Sequence, residues 1–360
     1  MKAWICTEAG AELHVADVEE AILEPTGLVV EVEYCGLCHS DLHRWHGTTD
    51  LGRRGIVKRP NSANPFAMGH EIVGRIVKTG PEVSGRALGE AVVVYPWFGC
   101  GTCKSCLAGQ DNMCTSGSRS LGFSNHGGFA RRVTVPHERY AVPLGDLAPA
   151  QAAPLACAGL TVRSAIRKIE PLEPEETVIL IGAGGVGLTA IAVLYALGHR
   201  RIVSIDLDPA KEDAAKAAGA ASFVCLSEGM EPSELIEALG GKVKSVIDFV
   251  NSASSASLAF ELLAKGGKMV QVGLYGGELV IPLPLLTGAG LTIQGSLTRT
   301  LEDLHDVVAL ARQGMLPQIP VKILPRADVN DALVRLDRGN VTGRMILKAG
   351  GPGELDWTGP

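Results

Sequence analysis

The sequence is poor in aromatic residues, which make up 4% of its 360 positions. A core here must rest on Val, Leu, Ile and Ala. It also lacks a positive excess: the formal net charge is −6. That argues against general nucleic-acid binding, which needs a concentrated basic surface. No stretch of about eighteen uncharged apolar residues occurs, so no membrane span is expected. The opening run MKAWICTEAGAELHVADVEE has no long apolar segment after Lys2 and does not read as a secretory signal. No internal repeat is visible. A cytoplasmic setting is expected, where thiols stay reduced. Nine cysteines in such a chain point to metal binding or catalysis before disulfides.

The length suits two domains. The first 150 residues are rich in Gly and Pro and carry short β-type runs: 28–33 (LVVEVE), 71–77 (EIVGRIV) and 91–95 (AVVVY). They predict an irregular, mostly β domain. From about Gln151 apolar strands alternate with helical stretches. Strands are expected at 177–181, 201–205, 222–226, 244–249, 268–272 and 291–295. Helices are expected at 185–197, 209–218, 232–239 and 254–264. Six strands with crossovers predict a doubly wound parallel sheet of the α/β class. From about Leu297 a helix at 302–312 and a β-like run at 344–348 are expected to return to the first domain. The tail GGPGELDWTGP reads as disordered.

Gly182-Ala183-Gly184-Gly185-Val186-Gly187 fits G-x-G-x-x-G. The pattern follows a predicted strand, opens a predicted helix, and precedes an acid, Asp206, at the end of the next strand. That context predicts a dinucleotide site. The glycines permit a tight turn and bring the pyrophosphate to backbone N–H groups at a helix start. Asp206 suits both hydroxyls of the adenosine ribose and repels a 2′-phosphate, which favours NAD over NADP.

Cys100, Cys103, Cys106 and Cys114 stand at C-x2-C-x2-C-x7-C spacing. A ferredoxin-type cluster expects a three-residue last gap and a following proline. Here the gap is seven and Thr115 follows. A closed four-cysteine zinc site needs only convergence of four thiolates. Such a site has no open coordination position and cannot activate a substrate.

Five motifs in order, GLCHSDLH, MGHEIVG, CGTCKSC with its fourth cysteine, LACAGLT and GAGGVG, resemble the zinc-dependent medium-chain alcohol dehydrogenases of the NAD-dependent bacterial type. The likeness runs from residue 1 to about 348. It implies a GroES-like catalytic domain, 1–158 with 298–360, around a Rossmann domain, 159–297. It implies NAD and two zinc ions per chain. The catalytic zinc would take Cys38, His70 and Cys157 and leave one position open; the four-cysteine run would hold the structural zinc. Glu71 would sit beside the catalytic metal, and Asp41 would orient His70, the alternative for Asp41 being a helix N-cap or turn acid. Ser40, the nicotinamide ribose and His43 would carry the proton away from a zinc-bound alkoxide. Thr161 and Val186 would hold the nicotinamide ring, and His39 and Arg344 the pyrophosphate. Lys211 would touch the adenosine ribose, or else be a solvated helix lysine. Pro96 and Trp97 are the candidate substrate-pocket wall. The substrate would be a small alcohol, aldehyde or ketone, and the assembly a homodimer or homotetramer, with the run 273–286 a candidate for pairing across subunits. A polyol or sugar dehydrogenase is the alternative within the family, and a non-catalytic NAD-binding redox sensor the alternative outside it.

Cys6, Cys35 and Cys225 remain, each in an apolar strand context where a buried thiol is the default. The segment 47–68 is longer than is usual in the family and carries Arg53, Arg54, Lys58 and Arg59. It is either a solvated charged loop or a rim that selects acidic substrates.

Overall fold

In the computed structural model, residues 1–58, 65–117, 119–227, 229–297 and 300–350 are described. Arg59 and the tail from 351 lie outside them.

Six parallel strands form one sheet in the order Ser222–Cys225, Ile202–Asp206, Val178–Ile181, Val243–Asp248, Leu263–Gln271, Thr292–Gly295. The central strand VILI is buried at every residue, as a strand covered by helices on both faces must be. Its own helix, Gly185–Ala196, and Ala158–Ile169 pack against each other. The expected strands and helices appear within a few residues of their predicted ends. Several helices lie outside those expectations, among them Ala158–Ile169, Val329–Asp337 and Leu283–Gly288, the last filling the connection through PLPLL.

The order also decides the fate of Cys225. Its strand forms the sheet's edge, so Cys225 is only half-buried and donates its thiol to Leu207 O at 3.5 Å. Cys6 and Cys35 are buried as expected.

The second sheet runs Ala141–Pro143, Ala91–Val94, Glu71–Thr79, Leu28–Gly36, Arg344–Lys348, Val321–Pro325, with Arg132–Val135 also paired to Leu28–Gly36. The C-terminal strand therefore does return to the first part of the chain: Ile346 sits opposite Gly36 and Leu347 opposite Cys35. Its first residue, Arg344, is carried to the border between the two sheets. Among the described residues no helix is long and apolar enough to cross a membrane.

Candidate metal and dinucleotide site

A short helix, His39–His46, organises the first half of the site. Cys38 is its N-cap, and Asp41 at its third position accepts the Cys38 backbone N–H at 3.0 Å. Gly47, at φ 66°, closes the helix. The helix start thus fixes Cys38, and Asp41 spends one carboxylate oxygen on that cap. The other oxygen accepts Gly69 N at 3.1 Å and faces His70 Nδ1 at 3.2 Å. The two readings of Asp41 coexist: one carboxylate caps the helix and orients the histidine.

With Nδ1–H directed at Asp41, the lone pair of His70 falls on Nε2. That atom is buried and has no hydrogen-bond partner. It converges with Cys38, Cys157 and Glu71, whose ligand atoms all lie within 4.8 Å of one another. The Cys38 and Cys157 sulfurs are 3.9 Å apart. Tetrahedral zinc–thiolate geometry requires roughly 3.8 Å between sulfurs. An orphaned imidazole nitrogen and two thiols at that separation, all buried, fit a zinc ion. The hydrogen bond with the Cys157 thiol holds the Cys38 thiol well below its ordinary range.

Glu71 is fully buried at the start of its strand and forms an ion pair with Arg344 through Oε1. Its other oxygen, Oε2, is buried and has no partner, and one carboxylate oxygen of Glu71 lies within the ligand set. Burial pushes the carboxyl up to about 8, while the guanidinium pulls it down. Sequence reasoning assigns Arg344 to the pyrophosphate and does not foresee this pair. The two assignments are compatible. A Cβ on Gly185 would fall 2.4 Å from Arg344 Cδ, so the side chain lies across the glycine loop, and its Nε is buried without a partner.

Replacing Asp41 with alanine should lower kcat/KM about 10- to 100-fold and weaken zinc retention by a similar factor. Steady-state kinetics with metal analysis reads both; unchanged metal retention would remove the orienting role.

The other half of the site is the glycine turn. Gly182 adopts φ 97°, a conformation reserved for glycine. A Cβ on Gly187 would meet Gly182 O at 1.8 Å, whereas a Cβ on Gly184 would meet nothing within 4 Å. One glycine turns the chain, one packs helix on strand, and one leaves open space where a pyrophosphate fits. Asp206 Oδ2 accepts Ala183 N at 2.6 Å, and Oδ1 accepts Asp208 N at 3.0 Å and Lys211 Nζ at 3.1 Å. Lys211 is therefore ion-paired and mostly covered, not a solvated helix lysine. Gly187→Ala should weaken NADH binding at least about tenfold by overpacking this turn; a fluorescence titration checks it.

A single cavity of about 310 Å³ joins the two halves. Cys38 and Cys157 line it together with His39, Ser40, His43, Thr161, Gly182, Gly184, Gly185, Val186, Gly187, Asp206, Lys211 and Arg344. The Thr161 hydroxyl is buried and unpartnered beside it. Pro96 and Trp97 do not line the cavity. Trp97 packs instead on His70, with ring centroids 5.8 Å apart. Phe123, which sequence reasoning misses, lies 5.1 Å from His70 and 5.3 Å from Trp97. No periodic pattern marks Phe123; it reaches His70 from a turn. None of the described residues 47–58 lines the cavity, and Arg53, Arg54 and Lys58 are exposed. Among the described residues 47–58 no cation borders this cavity, and Arg59 lies outside the described residues.

Cys100, Cys103, Cys106 and Cys114 converge separately. Sulfur separations are 3.4 Å for Cys103 and Cys106, 3.9 Å for Cys100 and Cys106, and 4.0 Å for Cys103 and Cys114. Backbone N–H groups of Thr102 and Cys103 point at Cys100 Sγ. With the Thr102 hydroxyl they draw its thiol down to about 5. These spacings fit a closed tetrahedral zinc. Asp111 anchors the lobe to the body by accepting Tyr140 Oη at 3.0 Å and Arg139 Nη2 at 2.9 Å.

Residues 24–146 match the family described as the alcohol dehydrogenase GroES-like domain, and residues 185–313 the zinc-binding dehydrogenase family. An NAD-dependent alcohol dehydrogenase of Sulfurisphaera tokodaii is 36% identical over 96% of this chain and 99% of its own length. The chain belongs to the zinc-type medium-chain alcohol dehydrogenase family. An alcohol dehydrogenase of Geobacillus stearothermophilus shares 31% identity over 97% of the chain and 99% of its own. The crystal structure of an Aeropyrum pernix alcohol dehydrogenase superposes with a TM-score of 0.86 at 30% identity, covering 97% of this chain and 100% of that one. D-Arabinose dehydrogenase from Sulfolobus solfataricus superposes at 0.80 with 28% identity over 96% and 98%. Membership in the medium-chain alcohol dehydrogenases gives the two cysteine-rich clusters their reading as two zinc sites.

Proposed function

We propose that this chain is an NAD-dependent zinc alcohol dehydrogenase that interconverts alcohols with aldehydes or ketones. The observation that carries the reading is one cavity lined at one end by Cys38 and Cys157, on which the orphaned His70 Nε2 converges, and at the other by the Gly182–Gly187 turn with Asp206. Zinc in the first set would supply Lewis acidity that lowers the pKa of an alcohol hydroxyl, and NAD would supply the hydride acceptor.

The chain's own residues do the rest. Asp206 and Lys211 hold the adenosine end. Gly184 leaves room for the pyrophosphate, with Arg344 Nε and His39 close by. Thr161 and Val186 bound the nicotinamide. Ser40 takes the alcohol proton as it gives its own hydroxyl proton onward, by way of the ribose that NAD would supply, to His43, one helical turn further along, which holds it at the solvent side. Two thiolates offset the metal's charge, so the site stays able to release a neutral carbonyl.

We further propose that the two units run 1–158 with 298–360, and 159–297, and that the chain forms a homodimer or homotetramer. Exposed Val280, Leu283 and Leu285 beside the edge strand Thr292–Gly295 support self-association.

A panel of primary and secondary alcohols, polyols and aldoses, assayed by NADH absorbance, tests the activity. Turnover on simple alcohols that stops on chelation supports the reading. Turnover confined to sugars moves it to the polyol branch. NAD binding without turnover on any member sinks it.

A further inference from the structure

The segment after Gly47 has no part in the site as described, yet it touches the opposite half of the molecule. Thr48–Asp50 and Ile56–Lys58 pair antiparallel, with Thr48 opposite Lys58. The turn between them reaches residues 276–278, which follow the strand Leu263–Gln271 of the parallel sheet. Gly277 N donates to Asp50 O at 3.2 Å, and Arg53 Nε donates to Glu278 Oε1.

The approach is close enough to require glycine on both sides. A Cβ on Gly52 would fall 2.7 Å from Glu278 Cγ. A Cβ on Gly276 would fall 2.9 Å from Asp50 Cβ. Both glycines have positive φ, 62° and 119°. Two segments more than 220 residues apart meet where neither tolerates a side chain.

What lies beneath gives the contact a consequence. Gly273, Leu274 and Tyr275, immediately before the touched residues, line the cavity. Along the sheet Asp206 stands on one side of Val178–Ile181, and Val243–Asp248 with Leu263–Gln271 on the other. A dinucleotide with its adenosine at Asp206 and its pyrophosphate at Gly184 must put its nicotinamide toward 273–275.

We propose that the hairpin 48–58 clasps segment 274–278 over the nicotinamide end of the cleft, and that Arg53 is a positioning residue for the bound cofactor. The inference rests on the dinucleotide reading above. Arg53 touches neither cofactor nor substrate; through Glu278 it sets where Leu274 and Tyr275 stand. Holding that wall slows release of NADH and leaves the adenosine half untouched.

Charge reversal tests this. Dissociation constants for NADH and for AMP are measured on the native chain, R53E, E278R and R53E/E278R. Each single reversal sets like charges against each other and should weaken NADH about three- to tenfold, with a faster off-rate. AMP, which fills only the adenosine end, should bind all four alike. The double reversal should return NADH to within about twofold of native. A generally loosened fold would shift AMP as well. Equal NADH constants in all four proteins, or single variants not rescued by the double, overturn the clasp while leaving the function intact. A native chain that binds no NADH overturns the functional reading and the clasp with it.

Discussion

With Cys157 replaced by serine, the purified chain carries one zinc instead of two, and kcat falls at least about a thousandfold. The magnitude follows from losing several kcal/mol of charge stabilisation at the developing alkoxide, at about 1.4 kcal/mol per tenfold in rate. The count follows from separation of the two clusters. Cys157 belongs to the set with Cys38, His70 and Glu71, and shares no ligand with the four-cysteine lobe. A serine hydroxyl is a poorer zinc donor than a thiolate, and no second thiol stands ready: the sulfur of Cys35, although buried nearby, hydrogen-bonds Gly36 O and is pushed well above its ordinary range by burial. NADH affinity should stay within about threefold, because the glycine turn and Asp206 are intact. Metal analysis, kinetics and a titration on one preparation read all three. Full activity with one zinc would place the chemistry elsewhere.

Cys106→Ala makes the opposite split. It too removes one zinc, but its main effect is on the fold. Cys106 is the buried member of the lobe, and burial holds its thiol up to about 12 when no metal is bound. Its sulfur contacts both Cys100 and Cys103. Apparent binding energies of structural zinc, about 10–16 kcal/mol in isolated zinc peptides, are folding energy wherever the site exists only when folded. The lobe here is a short helix, a 3-10 turn and loops, with the Asp111 carboxylate as its anchor to Tyr140 and Arg139. The variant should lose about 10 °C or more in Tm, and the lobe should become sensitive to protease. Freshly prepared protein should keep much of its kcat, since no lobe residue lines the cavity. Native Tm with kcat abolished would reverse the roles of the two clusters.

The parallel sheet and the cofactor turn are legible in the sequence because their signals are local. A continuous apolar run, a glycine turn and an acid at the next strand end lie within thirty residues. The four-cysteine lobe is legible for the same reason. Cys38, His70 and Cys157 are not legible one by one: each is a buried polar residue of ordinary appearance, and 119 positions separate the two cysteines. Only the resemblance of the surrounding motifs joins them. Asp41 shows the limit of choosing between readings, since its two oxygens serve the helix cap and His70 together. Arg344 is placed near the cofactor by resemblance, and its strand is expected to return to the first domain, but the pairing beside Leu28–Gly36 that brings it onto Glu71 has no local signature. Phe123 on His70 and Arg53 on Glu278 are contacts between distant turns. Periodicity carries no information about them. Cys225 departs from its expected burial because the order of strands in a sheet, and hence which one lies at the edge, does not follow from their order in the sequence.

The central claim is that hydride passes from an alcohol to NAD in the cavity that ends at Cys38 and Cys157, beside His70. Mass analysis of the cofactor after reaction with a primary alcohol carrying deuterium on its carbinol carbon tests it most directly. The account predicts NADH heavier by one deuterium from the native chain, and none from the Cys157→Ser variant even though that variant still binds NAD. NADH without deuterium, or equal labelling by the variant, would contradict it.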